Sequence, residues 1–187
     1  MPRVLIPLAQ GFEELEAVTL IDLLRRARME VVVAGLVPGP VTGSRHTVLL
    51  PDTTLEAVRN EDFDLIVLPG GLPGATHLEA DERLAAMLCG HARQGKTLGA
   101  ICAAPRVLLV NGLLAGRRAT AYPGTLDADT SAQVMLSDEA VVVDGPIVTS
   151  RGPGTAMDFA LTLIGLMLGP AAREAVERPL QRPVETP

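Results

Sequence analysis

Apolar residues fall along this chain in two alternating rhythms. Short, nearly continuous runs rich in Val, Ile and Leu occupy Arg3–Leu8, Glu30–Leu36, Phe63–Leu68 and Thr97–Ile101. Between them lie stretches where apolar residues return every three or four positions: Phe12–Ala27, Asp81–Gln94, Ala103–Asn111 and Thr155–Leu168. The first rhythm predicts strands and the second helices, with Gly95 and Gly112 as stop signals. Val141–Val143 and Ile147–Ser150, around Asp144-Gly145, predict a hairpin. Strands that are apolar on both faces belong to a parallel sheet covered by helices on both sides. The expected fold is therefore α/β: a doubly wound, mostly parallel sheet in one domain over residues 1–180. Val37–Gly43 reads as a Pro/Gly-rich loop and Pro179–Pro187 as a disordered end, with 181–187 a flexible tail. No internal repeat and no interdomain linker is present.

Composition narrows the function classes. Hydrophobic residues make up 48% of the 187, but only three Phe and one Tyr are aromatic, so the core must be aliphatic. Twenty-two acidic against 16 basic residues give a net charge of −6, which argues against dedicated nucleic-acid binding. Two cysteines exclude a disulfide scaffold and a four-Cys zinc site. Neither the short run Val4–Leu8 nor Ala160–Leu168 approaches the roughly 20 apolar residues of a membrane span. A cytoplasmic protein with reduced thiols and no membrane attachment is expected.

Four unusual segments follow the ends of strands: Gln10–Glu16, Pro69–Gly74, Cys102 and Arg151–Thr155. The crevice beyond the carboxyl ends of strands is where open α/β sheets bind ligands. Cys102, in Gly99-Ala100-Ile101-Cys102-Ala103-Ala104-Pro105, is placed as on a nucleophile elbow, whose tight turn needs small neighbours. A helix N-terminus directly behind it would favour the thiolate; a small buried core residue is the plainer alternative. Cys89, mid-helix, reads as packing. Glu16 falls on the stripe Phe12, Leu20, Leu23, Ala27, so its carboxyl is expected to be buried with a raised pKa. Glu13 and Glu14 need only the helix dipole to explain them. The glycines at 70, 71 and 74 permit close approach, and the Gly71 and Ala103 amides are candidate oxyanion-hole donors. The G-x-G-x-x-G and P-loop spacings are absent, so a nucleotide site is not supported. His46, His77 (in a loop) and His91 (on a helix surface) read as solvated, and no histidine spacing suggests a metal site. The helix C-terminus alone accounts for Arg25, Arg26 and Arg28.

Gly11-Phe12-Glu13-Glu14-Leu15-Glu16, Leu68-Pro69-Gly70-Gly71, Ala100–Pro105 and Ser150-Arg151-Gly152-Pro153-Gly154-Thr155 together resemble the ThiJ/PfpI superfamily, within it the branch of the parkinsonism-associated protein deglycase and its bacterial relatives. The resemblance runs over roughly residues 3–180. It implies a flavodoxin-like sandwich and a homodimer with the nucleophile near the interface. Cys102 matches the family's elbow cysteine and Glu16 its buried acid; Gly71 and Ala103 match the oxyanion-hole amides. Gly70, Arg151, Pro153 and Tyr122 are placed as pocket lining, Tyr122 being either a packing aromatic or a hydroxyl facing the pocket. Tyr122 stands where animal members carry a histidine, and Gly43 and Leu50 where they carry cysteines. A Cys–His base pair is therefore unavailable from that position.

The activity implied is a cofactor-independent, cysteine-dependent glyoxalase or deglycase. Its substrates would be methylglyoxal-type dicarbonyls or their protein and nucleotide adducts, with a role in carbonyl and oxidative stress. A redox-sensing, chaperone-like protein using Cys102 as a switch is the alternative from another class. An amidase or peptidase lacks a base for the leaving amine. Leu15 and Val18, apolar on the polar side of the first helix, are candidates for a self-complementary dimer patch.

Overall fold

The computed structural model describes residues 1–126 and 134–182. Its elements run β1 (Arg3–Leu8), α1 (Glu14–Arg26), β2 (Glu30–Gly35), β3 (Val41–Thr42), β4 (Val48–Leu49), β5 (Thr53–Thr54), α2 (Leu55–Val58) and β6 (Leu65–Leu68). There follow α3 (Gly74–Ala80), α4 (Glu82–Arg93), β7 (Thr97–Ile101), α5 (Pro105–Val110), β8 (Arg117–Ala119), β9 (Val134–Leu136), β10 (Val141–Asp144), β11 (Ile147–Ser150), α6 (Ala156–Leu168) and α7 (Pro170–Glu177). Seven strands form one sheet in the order β10-β11-β7-β6-β1-β2-β5. Every pairing in it is parallel except the β10–β11 hairpin. This is the expected mixed α/β single domain.

The continuous apolar strands are explained by two cores, one on each face. In β1, Val4, Ile6 and Leu8 pack toward α1 and α6, with Leu20, Leu24, Phe159 and Ile164. Leu5, pointing the other way, joins Leu55, Leu84, Leu88 and Leu108 beneath α2, α4 and α5. Successive strand residues alternate faces, so burial on both sides demands an unbroken apolar run. The chain enters the sheet at β1 and winds outward in both directions, through β2 and through β6. The switch point lies between β1 and β6, and their carboxyl ends diverge to leave a crevice.

The structure departs from the sequence expectations where elements are short. Val41–Thr42, inside the expected Val37–Gly43 loop, pairs antiparallel with Val48–Leu49. Two-residue strands carry no readable period, and this hairpin is held from outside. Glu14 accepts the backbone N–H groups of Arg45 and Thr47 at 2.7 and 3.2 Å, and the Ser44 hydroxyl at 3.2 Å. The helix expected at Ala103 begins only at Pro105. At the far end Arg178–Leu180 forms a 3₁₀ turn, and Arg182 pairs with Asp158 at 2.6 Å and Glu177 at 2.9 Å. The rest of the expected tail, 183–187, lies outside the described residues. Among the described residues, no helix is long and apolar enough to cross a membrane.

Candidate active site

Three segments expected to carry chemistry meet at the carboxyl ends of β1, β6 and β7. Cys102 leaves β7 with φ +64°, the left-handed region that costs an ordinary residue about 1 kcal/mol or more. Two backbone hydrogen bonds impose it: Cys102 N–H donates to Ser150 O at 2.9 Å, and Tyr122 N–H donates to Cys102 O at 2.8 Å. The turn brings the side chain back against the Gly70 segment. A Cβ on Gly70 would lie 2.8 Å from Cys102 Cβ and 2.9 Å from Glu16 Oε2. Glycine is required there by the approach of two functional groups.

Glu16, on the buried face of α1, has no solvent exposure. Its Oε2 accepts the Gly70 N–H at 2.7 Å, whereas Oε1 has no hydrogen-bond partner among the described residues. The Cys102 thiol lies beside the same carboxyl, and the interaction lowers the carboxyl's pKa and raises the thiol's. Burial pushes the Glu16 carboxyl up to about 7, against the pull of the Gly70 amide and the thiol. Burial first, and then the negative charge of Glu16, push the Cys102 thiol up to about 12. The expectation for Glu16 therefore holds, and the expected thiolate at a helix N-terminus does not. Cys102 precedes α5 by a turn, and its surroundings are apolar and anionic. The two groups are coupled: one proton leaves near neutrality, and the charge it leaves behind retains the second. The negative charge can rest on sulfur only while Glu16 keeps a proton.

The Gly71 and Ala103 amides both approach the sulfur and oppose the upward shift. Gly71 has φ +89°, and a Cβ on it would sit 2.3 Å from Glu13 N. That fixed turn aims its N–H. Together the two amides form a donor pair poised for an oxygen anion on a carbon attached to the sulfur. Tyr122 is half exposed and forms a wall between two depressions. One, of about 420 Å³, runs past Ala103, Leu72, Glu79 and Arg106; the other, of about 310 Å³, is bordered by Arg151, Gly152 and Pro153. The Tyr122 ring covers Gly152, where a Cβ would lie 3.3 Å from its Cδ2. Arg151 turns outward, donating to Asp138 O at 3.2 Å. The Arg151–Thr155 loop is pinned internally, Thr155 Oγ1 meeting Ser150 Oγ at 2.7 Å and Gly152 N at 3.1 Å.

Two histidines are not where the sequence reading put them. His77 is on α3, its Nδ1 2.9 Å from Gln10 O. His91 is buried at the far end of the sheet, with Nε2 2.9 Å from Thr97 O; burial lowers its pKa. Nor are the basic residues ending α1 left to the dipole, because Arg25 pairs with Asp52 and Arg26 with Asp22. Glu79 and Arg106 went unread in the sequence. The only signal was the position of Arg106 three residues beyond Ala103, one turn from the elbow.

A cysteine on a tight strand-to-helix turn, beside a buried carboxyl and two converging amides, invites comparison with known proteins. Residues 2–166 match the DJ-1/PfpI family. The chain belongs to that family. Among its relatives, the protein DJ-1 homolog B of Arabidopsis thaliana is 43% identical over 170 residues, 90% of this chain. The match spans only 38% of that protein and 43% of the Arabidopsis homolog A, about two-fifths of each. A Caenorhabditis elegans relative, glutathione-independent glyoxalase DJR-1.2, is 34% identical over 95% of this chain and 94% of its own length. The crystal structure of Drosophila melanogaster DJ-1beta superposes with a TM-score of 0.93 at 38% identity, covering 98% of this chain and 99% of that one. The DJ-1 fold thus extends over nearly the whole chain.

Proposed function

We propose that this chain is a cofactor-independent glyoxalase, acting on methylglyoxal-type 2-oxoaldehydes or their adducts and serving carbonyl-stress protection. The observation that carries the reading is the Glu16–Cys102 pair, a buried carboxyl poised near neutrality beside a sulfur faced by two amides. The enzymatic name of the Caenorhabditis elegans relative supports the same class. In this mechanism the sulfur adds to the aldehyde carbon, and the thiol proton passes to the new hydroxyl. The Gly71 and Ala103 amides hold the oxygen as its charge develops. Glu16, as carboxylate, removes the hydrogen on that carbon as a proton and returns it to the adjacent carbon, while the hydroxyl proton moves to the neighbouring carbonyl oxygen. The product is a 2-hydroxyacyl thioester of Cys102. Water then cleaves the thioester, releasing lactate and restoring the thiol. Methylglyoxal plus water gives lactate, with no external oxidant or reductant. The test is enzymatic detection of lactate from methylglyoxal, with Cys102→Ala as control; equal lactate from both proteins overturns the reading.

A second reading is favoured by the unpartnered Glu16 Oε1. If sulfur is oxidised, a protonated Glu16 can donate to a sulfinate oxygen and hold that state, making the same pair a redox switch. A cytoplasmic setting suits the two free thiols, Cys89 and Cys102. We also propose a homodimer through Leu15 and Val18, 62% and 45% exposed, beside the hairpin that Glu14 anchors, where Val48 is 58% exposed. Light scattering at micromolar concentration is expected to return twice the chain mass, and the single-chain mass from Leu15→Glu.

A further inference from the structure

The cleft of about 420 Å³ that opens at Ala103 carries two charged side chains which the proposed chemistry does not use. Arg106 Nε donates to Glu79 Oε2 at 2.9 Å, and the two side chains are 45% and 26% exposed. That is their only mutual hydrogen bond. Among the described residues the Nη1 and Nη2 donors of Arg106 and Oε1 of Glu79 have no other hydrogen-bond partner. The pair therefore holds one guanidinium fork and one carboxylate oxygen ready for a second pair of charges. Leu72 and Ala75 supply an apolar wall, and the Tyr122 ring closes the far side.

We propose that this cleft is a subsite for the zwitterionic head of a free α-amino acid whose side chain carries a dicarbonyl adduct toward Cys102. The inference rests on Cys102 being the reacting atom. A carboxylate matches the Nη fork in a bidentate fashion, as a guanidinium prefers. An α-ammonium one carbon away from it matches the Glu79 carboxylate. The four charges then alternate in sign, and the cleft stays neutral. A simple anion is opposed by Glu79, and a simple cation by Arg106. A residue within a polypeptide presents neither charge, so the subsite discriminates against adducted protein in favour of adducted free amino acid. The apolar wall accommodates the methylenes between the head and the adduct. Methylglyoxal itself carries neither an ammonium nor a carboxylate and leaves Arg106 and Glu79 unengaged. Arg106 and Glu79 thus select the substrate and take no part in the bond changes.

The test uses 2-aminohexanoate (norleucine), which has the zwitterionic head and an inert aliphatic side chain. Iodoacetamide alkylation of Cys102 is followed by peptide mass spectrometry with rising norleucine, N-acetylnorleucine or norleucine amide. Lactate formation from methylglyoxal is measured in parallel. Norleucine is expected to protect Cys102 in the millimolar range, the weak end of specific affinity. Removing either charge from the probe, or introducing Arg106→Met or Glu79→Gln, is expected to raise the protecting concentration about tenfold, as for one charge-assisted hydrogen bond. Both variants are expected to form lactate from methylglyoxal at the wild-type rate. Absence of protection by norleucine, or equal protection by all three probes, overturns the subsite. If lactate forms but protection fails, the subsite falls alone. If protection appears without lactate, the glyoxalase reading falls and the amino-acid site stands.

Discussion

The two ends of the central sheet each combine a cavity with a buried ionisable side chain, but only one of them has groups left to react. At the amino end, a groove of about 430 Å³ borders Phe63, Met87 and His91. His91 there is bonded to Thr97 O, and its neighbours Asp62 and Lys96 are paired with each other. At the carboxyl end, Glu16 keeps one oxygen without a hydrogen-bond partner among the described residues, Cys102 is held at φ +64°, and two amides converge on its sulfur. Cavity volume and burial of a titratable group do not separate the two. Unfilled hydrogen-bonding capacity and an imposed backbone turn do, because both cost stability and persist only where something else maintains them. The cysteines repeat the contrast: Cys89 sits within the regular helix α4, Cys102 on a turn of its own.

The comparison predicts its largest effect at the sulfur. Cys102→Ala is expected to lower lactate formation by about a thousandfold or more, as loss of a covalent nucleophile does, while Cys89→Ala leaves the rate unchanged. Gly70→Ala comes next. Its Cβ would meet Ile101 O and Cys102 Cβ, both at 2.8 Å, and urea denaturation is expected to register a loss of about 2–3 kcal/mol, as for other overpacked sites. Gly154→Ala, with nothing within 4 Å of its Cβ, is the neutral control.

A smaller effect separates the two buried groups by the sign of their pH dependence. Glu16 has a folded pKa near 7 against 4.5 for the free group, so the native state holds its proton more tightly. Its contribution is complete below about 4.5 and is lost as pH rises through about 7, on the order of 3 kcal/mol. His91 is lowered from 6.5, so its contribution is complete above that value and is lost as pH falls through the folded pKa. Urea titrations between pH 5 and about 8 are expected to show Glu16→Gln removing the descending slope and His91→Gln the ascending one. The smallest change expected is Tyr122→Phe. If Tyr122 serves as a wall, the phenyl ring suffices and the rate stays within about twofold, less than the loss of a typical hydrogen bond.

Much of this was legible beforehand. Four of the five core parallel strands (β1, β2, β6, β7 and β11) were readable from unbroken apolar runs, and β11 from its hairpin turn. Glu16 was legible for a related reason: it breaks an otherwise apolar helical stripe. The protonation of Cys102 was not. It depends first on burial and then on the charge of Glu16, which is distant in sequence; the helix pattern, which extends back to Ala103, suggests the opposite. His91 looked like one more polar residue near a helix end, and its burial arises only when α4 lies over β7. The β3–β4 hairpin was invisible for a similar reason, since its order comes from Glu14 rather than from its own residues.

The contrast between the two cysteines is tested most directly by peptide mass spectrometry after graded peroxide near neutral pH. Transfer of the thiol proton to the Glu16 carboxylate leaves a thiolate faced by the Gly71 and Ala103 amides, and that form is expected to pass through sulfenate to sulfinate. The account predicts two added oxygens on Cys102 before any on Cys89, with a changed yield in Glu16→Gln. Oxidation of Cys89 first, or resistance of Cys102 until the protein unfolds, would contradict it and leave Cys102 an ordinary buried core residue.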